Sequence, residues 1–296
     1  KIWSRAGKTY IAGDDDQAIF VWAGADVDHF IALKEEVNDI KVLDQSYRIP
    51  GGPIHELSQN IINKVQNRFD KDYKPRDDEG ILKRYSDITQ VDMSKGNWLV
   101  LSSANYFLDD AKDLCEIQGW YYQFKGRNSI PLKLLMALNN WEAWRKDAQL
   151  NHLEIKNIYE YLGSHVLPGF QKGKTLHSDT KYLMRDCKAE HGLVTDSVWY
   201  EAFEGLDPMT ETYIRNMRAN GEMINKNPRI IMSTIHGAKG GEADKVLLMQ
   251  DITNAALETF SHDPDELHRL FYTGATRAKR ELHVLDPKDF DRAYIL

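Results

Sequence analysis

The chain has 296 residues, enough to bury a substantial core as one large α/β domain or two to three smaller units. Its 38 basic and 45 acidic side chains leave a net charge of -7, which excludes a nucleic-acid binder attracted by global charge while leaving room for a local basic groove. Composition is ordinary for a globular protein, at 42% hydrophobic and 28% charged residues, and no apolar run approaches the ~20 residues that cross a bilayer. Cys115 and Cys187 have no metal-ligand spacing and suggest inert thiols in a reducing compartment. The chain opens on Lys1 without a signal-peptide pattern, so the sequence reads as a piece excised from a longer one.

In chain order, residues 8–13 ("KTYIAG") predict a short strand, followed by an acidic loop and a helix through "DVDHFIALKEEV". Residues 40–48 ("IKVLDQSYR") predict a second strand. A Pro-Gly breaker then precedes the amphipathic helix "IHELSQNIINKVQNRF". A charged loop, "DKDYKPRDDEG", leads to the strand "ILKRY". The apolar run "GNWLVLSS" predicts a buried parallel strand, with a helix after it and "YYQFKG" as the next strand. From about Ile130 the pattern turns helical, and strand signals return only at "PRIIMSTIHGAKGGEADKVLLMQD", followed by "LHRLFYTGATRAKRELHVLD". Strands alternating with helices predict an α/β fold with a parallel, RecA-like or Rossmann-like sheet. The helical stretch, residues 130–227, reads as an insertion splitting that domain.

Two Gly-Lys-Thr triplets invite a phosphate-loop reading and fail it. The loop needs a further glycine five positions earlier, where its amides wrap a phosphate, but Ile2 and Pro168 stand there. The stretch "GDDDQAIFVWAGA" (13–25) sets Asp14, Asp15 and Asp16 beside Gln17, Phe20 and Trp22. The carboxylates read either as a solvated turn or as a divalent-metal site. Adjacent side chains in extended structure point apart and no second ligand cluster is evident, so no metal site is assigned.

Three further stretches share the order of a known series. "LDQSYR" (43–48) ends a strand on Arg48; "STIHGAKGGEADKV" (233–246) places Thr234, His236, Lys239 and Glu242 around a glycine-rich turn; "RLFYTGATRAKREL" (269–282) presents Arg277. With "GDDDQAIFVWAGA" they resemble the third to sixth conserved motifs of superfamily 1 helicases of the UvrD, Rep and PcrA type, written GDxxQSIYxWRGA, LxxNYR, TxHxxKGLEFxxV and RLxYVAxTRA. The resemblance covers most of residues 10–130 and 229–286. It departs at Ala23, where the family has arginine, at Ser46, where asparagine is common, and at Gly241-Glu242-Ala243, where Leu-Glu-Phe is usual. The Walker A loop and the Asp-Glu motif that holds Mg²⁺ are not in this sequence.

The resemblance implies an ATP-dependent DNA helicase working with ATP and Mg²⁺, the Mg²⁺ ligands lying upstream. Residues 1–39 would be the tail of a first RecA-like domain, residues 40–129 and 228–296 a second, and residues 130–227 an accessory domain. It implies that Arg48 and Arg277 neutralise charge on the γ-phosphate, which a planar guanidinium does well. Gln17 would sense that phosphate or the attacking water, Lys239 would lie near the phosphates, and Glu242 would bond the nucleotide sugar. Trp22, with Phe20 beside it, would stack on bases at ~1 to 3 kcal/mol each, while Thr234 and His236 would touch the strand. Gln17 and Trp22 are at most ~18 Å apart in extended chain, so one loop can reach both nucleotide and DNA. The implied partners are single-stranded DNA, duplex junctions and the first RecA-like domain, with 3′ to 5′ movement, no membrane, and the cytoplasm of a bacterium or a phage-infected cell. The 296-residue chain alone is expected to be inactive. Two alternatives are a RecB- or AddA-like helicase–nuclease and a non-catalytic nucleic-acid-binding module.

Overall fold

The computed structural model describes residues 8–222 and 227–296, apart from the side chains of Trp22 and Lys172. Gly7 of the first Gly-Lys-Thr triplet and the ring of Trp22 thus lie outside the described residues. The chain forms two compact units, one from the described residues up to Lys112 together with Ile230–Leu296, the other Asp113–Arg229. The sequence reading divided the chain instead near residues 130 and 227.

The first stretch runs α1 (Val27–Ala32), β1 (Gln45–Gly51), α2 (Pro53–Ile62), β2 (Lys74–Glu79), β3 (Ile81–Tyr85), β4 (Trp98–Ser102) and α3 (Asp109–Gln118). The middle holds β5 (Tyr122–Phe124), β6 (Arg127–Asn128), α4 (Leu132–Trp144), β7 (Leu150–Asn151), α5 (His152–Tyr159), β8 (Lys181–Tyr182), α6 (Met184–Glu190), α7 (Trp199–Ala202) and α8 (Pro208–Ala219). The chain closes with β9 (Ile230–Thr234), β10 (Ala243–Met249), α9 (Asn254–His262), α10 (Pro264–Ala275) and β11 (Ala278–Leu285).

In the first unit, β3, β11, β10, β4 and β9 lie side by side in that order, every neighbouring pair parallel. Strand β4 is buried along its whole length, which is why it reads as a continuous apolar run. One face of the sheet packs its Leu99, Leu101, Val246, Leu248, Leu282 and Val284 against α2 and α10. Gly274 lets α10 approach closely, because a Cβ there would stand 3.0 Å from Leu248 Cδ1 and 3.4 Å from Ile235. This helix-flanked parallel sheet is the RecA-like α/β arrangement that the sequence predicts.

Four local expectations change. Residues 8–13 carry no strand; no ladder partner meets them and they are exposed. Strand β1 starts at Gln45, later than expected, and runs through Pro50, pairing in parallel with β2. Strand β2 falls in the supposed charged loop: Lys74 N donates to Asp44 O at 2.7 Å, and Lys74, Asp77, Asp78 and Glu79 face solvent on a two-stranded edge, so no apolar period marks it. Helix α2 stops at Ile62, short of the predicted Phe69. The amides of Gln66 and Asn67 donate instead to the two carboxylate oxygens of Asp265, each at 2.9 Å, which turns residues 66–71 into a loop.

The second unit is mainly helical but also contains two antiparallel strand pairs, β5 with β6 and β7 with β8. Trp141 and Trp144 of α4 are fully buried, and their indole N–H groups donate to Ser197 O at 3.1 Å and Tyr182 O at 3.0 Å. Helix α5 starts on a reciprocal cap between Asn151 and Glu154.

On the other face of the first unit's sheet, His283 is buried against Tyr85, Trp98 and Glu281. Burial pushes its imidazole from the ordinary 6.5 down to about 4, against the pull of Glu281. Because the unfolded chain protonates first on acidification, this site's stabilisation is complete above pH 6.5 and is lost as pH falls toward about 4. Burial holds His236 and His268 low as well. Urea unfolding should therefore show lower stability at pH 5 than at pH 7.5, and His283→Phe should flatten that difference; an unchanged difference in the variant would contradict the assignment.

Candidate functional site

The acidic stretch forms a tight turn, Asp15–Gln17, capped by Asp14, whose Oδ1 accepts from Asp16 N at 3.2 Å. Asp15 and Asp16 are only 3% exposed, so the solvated-turn alternative does not describe them. Buried carboxylates need partners, and the loop after α2 supplies them. Arg68 Nε and Nη2 fork onto the two oxygens of Asp16 at 3.1 and 2.9 Å. Lys71 Nζ binds Asp15 and lies 3.2 Å from Asp14 and 3.1 Å from Asp16. Phe69 N donates to Asp15 Oδ2 at 2.7 Å. Burial disfavours both cations, yet the carboxylates outweigh it and hold Arg68 and Lys71 above their ordinary values. The triplet's oxygens are thus committed to protein cations and amides.

The turn delivers Gln17 to Arg277, which follows α10. Arg277 Nη2 donates to Gln17 Oε1 at 2.5 Å, Nε to Thr273 O at 2.9 Å, and Nη1 reaches Gly241 O at 3.4 Å. Arg277 is 1% exposed. Burial and then the charge of Arg48 push it down to about 10, which still leaves it a cation at neutral pH. Arg48, on β1, is half-buried, and its buried Nε has no hydrogen-bond partner among the described residues. The two cations thus oppose each other's charge, and among the described residues neither forms an ion pair within 4.0 Å. An anion with several oxygens fits such a pair.

Residues 235–241 link β9 to β10 across the intervening β4 in a few residues, far fewer than the ten or more of an ordinary parallel crossover. The link is a series of turns anchored by Ile235 N on Ser102 O at 2.9 Å, with Ile235 and Ala238 buried in the core. Thr234 Oγ1 accepts from Gly237 N at 3.1 Å and so caps the first of them. The link sets Lys239 against the acidic loop: its Nζ donates to Gln17 O at 3.0 Å and lies 5.0 Å from the Phe20 ring centroid. His236 packs at 5.7 Å from the same ring, and burial holds its imidazole low. Phe20 is half-buried and packs on the hydrophobic core. Glu242 is exposed at the start of β10 and pairs with Lys279 at 3.1 Å. Gln17, Arg48, Lys239 and Arg277 are therefore gathered by hydrogen bonds and charge, and Phe20 and His236 adjoin them through Lys239.

Sequence reasoning missed Arg68, Lys71, Asp265, Arg269 and Tyr272. Arg68 and Lys71 sit in a stretch whose alternating charges look solvated. Arg269 and Tyr272 lie at the helical spacing i, i+3 on α10 and carried a signal, since polar side chains appear there in an otherwise apolar stripe. Tyr272 is buried, and burial followed by Asp14 and Asp16 keeps its phenol from ionising.

Arg269 is 3% exposed; its Nε donates to Asp15 O at 2.9 Å, its Nη2 to Asn67 O, and its Nη1 lies 3.9 Å from Asp265. Arg269→Leu would leave the carbonyls of Asp15 and Asn67 without this buried donor, so urea unfolding should register a loss of about 1–3 kcal/mol; a loss below about 0.5 kcal/mol would contradict this role. Among known proteins, residues 204–286 match the family model for the UvrD-like helicase C-terminal domain. No curated protein matches the chain. The matched span includes the 235–241 link, Arg269 and Arg277, while Gln17 and Arg48 lie before it. The chain is thus similar to the UvrD-like helicase C-terminal domain over a span that includes β9, β10, α10 and β11 of the first unit.

Proposed function

We propose that this chain is the second motor half of an ATP-dependent DNA helicase that moves 3′ to 5′ along single-stranded DNA. The observation that supports the reading is buried Arg277 on the Gln17 amide, with Arg48, whose buried Nε–H has no partner among the described residues, disfavouring its charge. A bound anion would offset the repulsion between them, and a triphosphate is the anion a helicase consumes.

Bound ATP, with its Mg²⁺, would supply the phosphoryl group whose transfer drives movement. The chain's own residues would do the rest. Arg277 and Arg48 would turn their guanidiniums to the terminal phosphate; Gln17 would follow Arg277; Glu242 would exchange Lys279 for a sugar hydroxyl. Lys239 touches both Gln17 and Phe20, so a shift at the nucleotide would reach Phe20 and His236, the residues proposed to meet the DNA with Trp22 and Thr234. The acidic turn is unsuited to Mg²⁺, because Arg68 and Lys71 already neutralise its carboxylates.

In the intact protein, Arg277→Lys should lower DNA-stimulated ATP hydrolysis about 100-fold or more, because an ammonium lacks the planar fork. Arg48→Lys should act in the same direction, while this 296-residue chain alone should hydrolyse no ATP. Full hydrolysis in both variants would overturn the reading.

A further inference from the structure

The amide of Gln17 is gripped at both ends. Its oxygen accepts from Arg277 Nη2 at 2.5 Å, and its nitrogen donates to Asp14 Oδ2 at 2.5 Å. A guanidinium can only donate and an ionised carboxylate can only accept. Turning the amide over would set N–H against N–H at one end and oxygen against carboxylate at the other. Asp14 is itself held: Lys71 Nζ lies 3.2 Å from its Oδ1, the same oxygen that accepts from Asp16 N. Lys71 in turn cannot swing away, since it also neutralises the buried Asp15 and Asp16. The backbone carbonyl of Gln17 is fixed independently by Lys239.

We infer that Asp14 and Lys71 are positioning residues, forming a side-chain relay Lys71–Asp14–Gln17–Arg277 that commits the Gln17 amide to presenting its oxygen on the Arg277 side. The chemistry follows from the inventory of donors and acceptors. With its nitrogen tied back to Asp14, Gln17 meets the cleft as an acceptor. An acceptor fits a group that carries protons, such as the water that attacks a phosphate or the guanidinium itself, and does not fit a phosphate oxygen. Neither Asp14 nor Lys71 touches the reacting atoms in this arrangement. The assignment of that water rests on the ATP-hydrolase reading above; the orientation of the amide does not.

The test is side-chain amide hydrogen exchange of Gln17 by ¹H–¹⁵N NMR on this chain with ¹⁵N-glutamine, taken without nucleotide and assigned with Gln17→Glu. Asp14→Ala should speed exchange of the Gln17 amide about tenfold, the effect of losing one charge-assisted hydrogen bond. Lys71→Gln should speed it in the same direction, and Lys71→Arg should restore the wild-type rate. The Asp14 side chain is 40% exposed, so Asp14→Ala keeps the test decisive even if Lys71→Gln does not fold. Unchanged exchange in Asp14→Ala overturns the relay, and a response in Asp14→Ala with none in a folded Lys71→Gln removes Lys71 from it. In the intact protein the same Asp14→Ala should lower kcat for ATP hydrolysis with KM little changed. A normal kcat beside accelerated exchange would sink the water assignment and leave the orientation standing.

Discussion

Two carboxylates, Asp15 and Asp16, are buried in a turn of three residues, and that constraint organises the site around them. A carboxylate removed from water costs several kcal/mol unless its oxygens are met. Here they are met by Arg68, Lys71 and the amide of Phe69. That in turn requires the loop after α2 to be where it is, which Asp265 secures by taking the amides of Gln66 and Asn67. Arg269 closes the circuit by donating to carbonyls of both segments. Removing one partner therefore loosens all of them, and Gln17 is the last link of the same turn.

The parallel sheet supplies the other side. The short 235–241 link emerges beside the acidic loop with Lys239, and α10 ends where Arg277 can reach Gln17. Gly274 permits the close packing that fixes this end of α10 on β10. Residues more than two hundred positions apart thus share hydrogen bonds with Gln17. Gln17 thus meets Arg277 through its side chain and, through Lys239 on its carbonyl, the Phe20 ring that His236 packs against.

Much of the fold was legible. Strand β4 announces itself as an apolar run because both its faces are covered, β3, β9, β10 and β11 show shorter strand signals, and α2 shows its helical period. Strand β2 was not legible, since a strand made of Lys74, Arg76, Asp77 and Asp78, three of them exposed, has the composition of a loop. The end of α2 was also hidden, because the competing acceptor, Asp265, lies 199 positions from Gln66. For the candidate site, Gln17, Arg48, Lys239 and Arg277 could be named from resemblance. The role of Lys71 could not, because its three carboxylate neighbours are brought to it only by the folded chain.

Strand separation by the intact protein tests the central claim most directly. Given ATP, it should open duplexes bearing a 3′ single-stranded tail, and this opening should vanish without ATP and with Arg277→Lys. Opening that proceeds without ATP, or that survives Arg277→Lys undiminished, would contradict the account.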